Sequence, residues 1–122
     1  MAELIVGDNN SSRYMDSKEV MGELGPILIE GEEVVLVRGT KTKYNAITDR
    51  RIIGVEARKA TVKTKRKVFM SLPFSQAAVF SIERAGSQSR VEVVFGSGIE
   101  YNFTTDEKTA LDIAGFIGEH TL

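Results

Sequence analysis

The chain has 122 residues, 42% of them hydrophobic, with 16 lysines and arginines against 17 acids, one histidine and a formal net charge of -1. A chain of this size buries roughly two-thirds of its unfolded surface without staples, and with no cysteine it has neither disulfides nor a thiolate metal site. The longest apolar runs, Val34–Val37 and Ala77–Phe80, fall far short of the about twenty residues of a membrane helix, and the N-terminus lacks the basic-then-apolar pattern of a signal peptide, so a soluble, cytoplasmic protein is expected.

Residues 1–15 show no periodicity and read as a flexible arm ahead of a single domain over 16–122. Asp16 with Glu19 three residues on forms a capping box. Val20, Met21 and Leu24 lie at helical spacing, and Gly25-Pro26 ends this short helix. From Glu32 the period becomes two. Strands are predicted over 32–38, 41–48 and 51–57, with turns at Gly39-Thr40 and at the polar corner Thr48-Asp49-Arg50-Arg51, where Thr and Asp side chains can bond nearby amides. Arg58-Lys59-Ala60 reads as a loop, and 61–67 as an exposed, lysine-rich hairpin arm. Residues 68–72 return to the core, and Pro73 confines the strand end to an edge or turn.

Residues 77–83 alternate, with Ala78, Phe80 and Ile82 on one face. Val91, Val93 and Phe95 share a face of the next strand, and Ile99, Tyr101 and Phe103 of the last, joined by Gly96-Ser97-Gly98. The period then changes again. Thr104 as cap with Glu107 would form a second capping box, opening a terminal helix whose apolar face carries Ala110, Ile113, Ala114 and Ile117. Seven antiparallel strands must cover their apolar face, so the expected architecture is mainly β: a bent sandwich or partly open barrel plugged by the C-terminal helix.

Charge is segregated along the chain. Residues 38–67 hold eleven cations and two acids, a net of +9, and the rest of the chain carries -10. Within this tract Arg50, Arg51, Arg58, Lys59, Lys63, Lys65, Arg66 and Lys67 are the candidate anion-binding or interface residues. Phe69, out of phase with Val68, Met70 and Leu72, faces outward if those three face inward, and is then a candidate interface anchor.

Four short stretches, in this order, resemble the bacterial PH (pleckstrin-homology-like) domain family. They are Ile29-Glu30-Gly31-Glu32-Glu33-Val34, Thr48-Asp49-Arg50-Arg51-Ile52-Ile53, Ser71-Leu72-Pro73-Phe74 and Ser81-Ile82-Glu83-Arg84-Ala85-Gly86. The resemblance runs from about residue 16 to the end. It implies a PH-like seven-stranded sheet capped by a C-terminal helix, a tendency to ring-like homo-oligomers, and no enzyme activity. The chain departs from the family at Thr42-Lys43, where an Arg-Asp pair is common, so a contact made by that acid does not carry over. Neither does the phosphoinositide pocket of eukaryotic relatives, whose Lys-to-Arg pattern has no residue-by-residue match.

No catalytic constellation emerges. His120 lies at a helix end without partners, where a cation suits the helix dipole. Gly96-Ser97-Gly98 joins two strands and lacks the lysine of a phosphate loop. Glu30, Glu32 and Glu33 read as a solvated strand entry rather than a cation site, and Ser11, Ser12 and Ser17 have no general base. Neither a catalytic residue, a metal nor a cofactor is therefore expected. The expected function is a non-enzymatic interaction or scaffolding module that assembles with itself into more than two subunits. The alternative is an anionic-lipid or other anionic-ligand module using residues 38–67. Nucleic-acid binding ranks below both, because the isoelectric point is near 5.9 and no aromatic stacking platform interleaves the lysines.

Overall fold

The computed structural model describes residues 17–40, 42–59 and 65–121. The expected arm, the Asp16 cap and residues 61–64 of the lysine-rich stretch lie outside those residues. Helix α1 (Ser17–Leu24) ends in a 3₁₀ turn over Gly25–Ile27. Strands β1 (Val34–Thr40), β2 (Lys43–Thr48), β3 (Arg51–Lys59) and β4 (Lys65–Pro73) form one antiparallel sheet in that order. A 3₁₀ turn at Phe74–Gln76 leads into a second antiparallel sheet, β5 (Ala77–Ala85), β6 (Gln88–Phe95) and β7 (Glu100–Asp106), and helix α2 (Glu107–Thr121) closes the described chain. The chain is thus mainly β, with a short N-terminal and a longer C-terminal helix.

Two hydrophobic clusters explain why β2 and β3 are apolar on both faces. On the inner face, Ile47, Ile52 and Leu72 meet Val91, Val93, Phe95, Tyr101 and Phe103 of the second sheet, and Ala110, Ile113 and Ile117 of α2. On the outer face, Tyr44, Ala46, Ile53 and Val55 lie beneath Val20 and Leu24 of α1. An eight-residue helix is marginal by itself; this packing is what holds it. Strand β1 serves both clusters because its pairing with β2 shifts between Val34 and Leu36. Val35 and Leu36 therefore both turn inward, while Val34 and Val37 pack outward under the N-terminal segment. Arg38 of β1 donates to the Thr104 carbonyl of β7 at 2.9 Å, tying the two sheets together.

Five local expectations are corrected. Gly39 and Thr40 do not make the turn: they end β1, paired opposite Tyr44 and Lys43. Arg58 and Lys59 do not loop out: they pair opposite Arg66 and Lys65 as the last residues of β3. Asp106, not Thr104, caps α2. Its Oδ2 accepts from the Thr109 amide at 2.9 Å and its Oδ1 from the Thr109 hydroxyl at 2.8 Å, and these bonds hold its carboxyl below the usual range. Thr104 is still a strand residue, so the strand runs directly into the helix cap. A bulge between Ala77 and Val79 breaks the expected alternation, so Ala77 packs on the core while Ala78 is exposed. Glu32, expected to be solvated, is buried.

Helix α2 plugs the inner core through Ile113 and Ile117, both nearly inaccessible. Truncating either to Ala is expected to lower the unfolding free energy by about 2–5 kcal/mol through lost contacts and a residual cavity. Chemical denaturation measures this, and a loss below about 1 kcal/mol would place the helix at the periphery.

Candidate interface on the basic face

The corner between β2 and β3 is built around a buried carboxylate. Thr48 Oγ1 accepts from the amides of Arg50 and Arg51, both at 3.0 Å, which shapes the turn. The same hydroxyl donates to Glu32 Oε2 at 2.7 Å. Arg51 grips that carboxylate with two prongs, Nε to Oε2 and Nη2 to Oε1, each at 2.9 Å. The Ile29 amide fills the remaining direction on Oε1 at 3.1 Å. Burial alone would raise the Glu32 carboxyl, but the bonds from Arg51, Thr48 and Ile29 outweigh it and hold the group below its ordinary value. Arg51 also reaches the Ile27 carbonyl at 2.8 Å and Ser71 Oγ at 3.2 Å, linking the N-terminal segment to β3 and β4.

A second clamp sits over the outer cluster. Glu23 of α1 receives Lys67 Nζ of β4 at 2.6 Å on one oxygen and the Tyr44 hydroxyl of β2 at 2.5 Å on the other. Lys67 also lies 6.0 Å from the centre of the Tyr44 ring, within cation–π range. Burial works to raise the Glu23 carboxyl, and the Lys67 and Tyr44 bonds bring it below its usual range. Tyr44 is pushed well above the ordinary phenol range, by burial first and by the neighbouring carboxylate second.

The sequence-marked cations therefore occupy different settings. Arg51 holds the buried Glu32, and Lys67 the half-buried Glu23. Arg50 is half-buried at the corner, and Arg66 is exposed on β4. In the backbone register of the β3–β4 ladder Arg58 stands opposite Arg66 and Lys59 opposite Lys65. Lys63 lies outside the described residues. Phe69 stands opposite Val55 in the ladder and keeps 40% of its surface exposed, because β4 is an edge strand with Leu72 turned into the inner core. Among the described residues no group of three potential metal ligands forms, and no described helix is long and apolar enough to cross a membrane.

A model of the bacterial PH domain family matches residues 3–116. The chain belongs to the bacterial PH domain family. Solved structures agree on the fold. A protein with a pleckstrin-homology domain from Shewanella loihica aligns over 88% of this chain and 95% of its own, with 20% identity and a TM-score of 0.55. A PH-domain protein from Exiguobacterium sibiricum covers 87% of this chain, which in turn spans 61% of that protein, at 14% identity and a TM-score of 0.51. No curated protein matches the sequence. PH domains are generally non-catalytic modules that mediate protein or lipid interactions. In this PH domain the Glu32–Arg51 pair was invisible to sequence reasoning, because 19 residues separate its partners. The available signal was that the two belong to adjacent family-like stretches, Ile29–Val34 and Thr48–Ile53.

Both carboxylates are more acidic folded than unfolded, so their contribution is fully present above the ordinary carboxylate range and fades as pH falls through their lower folded values. Wild-type melting temperature should hold level from pH 8 to about 6 and drop steeply below about 4.5. Glu32→Gln, which leaves Arg51 without its anion, should cost about 3–5 kcal/mol at neutral pH and narrow the gap to wild type in acid. Parallel melting curves that keep the gap constant down to pH 3 would remove Glu32 from this role.

Proposed function

We propose that this PH domain is a non-enzymatic scaffolding module that assembles with copies of itself into a closed ring of more than two subunits. The observation that carries this is Phe69. A phenylalanine on an edge strand, 40% exposed and next to cations, is the kind of aromatic anchor that interfaces bury at their centre. Among the described residues, β1, β4, β5 and β7 are edge strands, on whose backbone heterologous contacts between copies can form. The clamp from Glu23 and Lys67 to Tyr44 ties α1 alongside.

Light scattering coupled to size exclusion checks the assembly. Wild type at micromolar concentration should run at three or more times 13.4 kDa, and Phe69→Glu should fall to a smaller species without loss of its melting transition. A wild-type monomer ends this reading.

A second reading has its own observation. Placing Arg58 opposite Arg66 and Lys59 opposite Lys65 is unfavourable for an isolated ladder, and an anionic surface would relieve it at roughly 1 kcal/mol per cation. Vesicles containing anionic lipid should then bind wild type in a salt-sensitive manner and fail to bind the Lys63→Glu, Lys65→Glu, Arg66→Glu triple variant. Lys67 is left intact there because it holds Glu23. Wild type that ignores anionic vesicles at low salt refutes lipid binding, and a change of oligomer size in the variant assigns the band to the subunit interface.

A further inference from the structure

Helix α2 packs on the inner side of the three-stranded sheet through Ala110, Ile113 and Ile117. Among the described residues, the outer side of that sheet has no counterpart of α1. Register fixes what it presents. Val91, Val93, Tyr101 and Phe103 turn inward, so their neighbours along each strand turn outward. Val79 stands opposite Val94, and Val94 opposite Glu100. Val79 is 57% exposed and Val94 is half-buried. The water-facing side of an antiparallel sheet is normally polar, and this valine pair departs from that rule.

From the Val79 row to the Glu83 row the face holds three acids, Glu83, Glu92 and Glu100, and one cation, Arg90, a net of -2. Among the described residues, none of these carboxylates has a side-chain hydrogen bond or an ion pair. The acids of α2 differ, since Glu107 and Asp112 are taken by Arg84 and Lys108. The face is thus an apolar pair within unpaired negative charge.

We propose that this face receives Phe69 of a neighbouring copy, so that the four-stranded sheet of one subunit joins the three-stranded sheet of the next. The inference rests on the assembly reading above and names its second surface. The two patches match in sign. Phe69 is followed along the β3–β4 ladder by the exposed Arg66 and by the pairs of Arg58 with Arg66 and Lys59 with Lys65. Opposite charge at the rim sets orientation, and the buried aromatic supplies the anchor. Like charge disfavours the two-fold alternative, in which one basic end meets another. The patches also lie on opposite layers. Phe69 stands in register with Val55, which belongs to the outer cluster of the first sheet, and the valine pair is on the outer side of the second. A subunit built this way holds two neighbours at once, through a head-to-tail contact that closes into a ring.

Mixing two variants of the 122-residue chain tests the pairing. Phe69→Glu disables the anchor and leaves the acidic face intact, and Val94→Arg does the reverse. Light scattering should find each alone at 13.4 kDa, with its melting transition kept. Mixed in equal amounts, they should form a species of twice that mass and no larger, because one sound contact remains and both free ends are dead. The pair Glu92→Lys and Glu100→Lys, made in one chain, should act like Val94→Arg and does not depend on that valine for folding. Folded monomers that stay monomeric on mixing overturn the pairing and leave the ring to other surfaces. Acidic-face variants that keep the wild-type mass overturn it as well. A wild-type monomer is a different failure, since it ends the assembly reading itself.

Discussion

The Glu32 carboxylate holds this molecule's parts in register. It is a buried anion, which is tolerable only when each lone pair is met by a donor, and here each is. Two donors come from one guanidinium, one from a threonine and one from a backbone amide. Because the guanidinium also holds Ile27 and Ser71, one ion pair fixes the N-terminal segment, the β2–β3 corner and β4 at once. Around it the backbone closes the same junction: the Asp49 amide bonds the Glu33 carbonyl at 3.0 Å, and the Phe74 amide bonds the Arg50 carbonyl at 2.9 Å. The turn after β4 is thereby anchored to the corner before β3.

That junction allows the four-stranded sheet to be covered twice. A sheet with water on one side alternates apolar and polar residues, whereas β2 and β3 are apolar on both sides. The second cover is α1, too short to be stable without tertiary support. Glu23 supplies its polar tether across the sheet, and Val20 and Leu24 its apolar one. The cost is that two of the most prominent cations in the sequence, Arg51 and Lys67, are committed to acids of the same chain. Net charge along a sequence window therefore overstated the field that this face presents to a partner.

What the sequence made legible was periodicity and what it hid was pairing at a distance. Alternation placed β6 and β7 with their inward Val91, Val93, Tyr101 and Phe103, and helical spacing placed Ile113 and Ile117, because each pattern is local and repeated. The phase argument for Phe69 worked for the same reason: Leu72 is buried in the inner core, and two-residue periodicity then turns Phe69 outward. Local patterns failed where one residue breaks the period. The bulges before Leu36 and Val79 are such places, and neither carries a Gly or Pro to announce it. The second capping box failed because Thr104 and Asp106 are both good caps in isolation. Only the length of β7, set by pairing up to Gln88 opposite Asp106, decides between them. Glu32 could not be read at all, since a carboxylate in a run of three acids looks solvated until its arginine is known.

The two sheets then divide the interaction chemistry between them. On the four-stranded sheet, α1 and the clamps leave the β3–β4 end basic, with Phe69 beside it. On the three-stranded sheet, α2 packs on the inner side and leaves the outer face acidic around Val79 and Val94. The division follows from topology. Each helix covers one apolar surface and cannot also cover the strand edge next to it, so among the described residues β4 and β5 are edge strands on either side of the Phe74–Gln76 turn. An exposed edge is an aggregation hazard unless it is charged, bulged or covered. β4 meets that requirement with cations and β5 with the bulge at Ala78. Beyond the bulge, Phe80, Ser81 and Ile82 carry no charge, so that edge is guarded by its break in pairing rather than by charge.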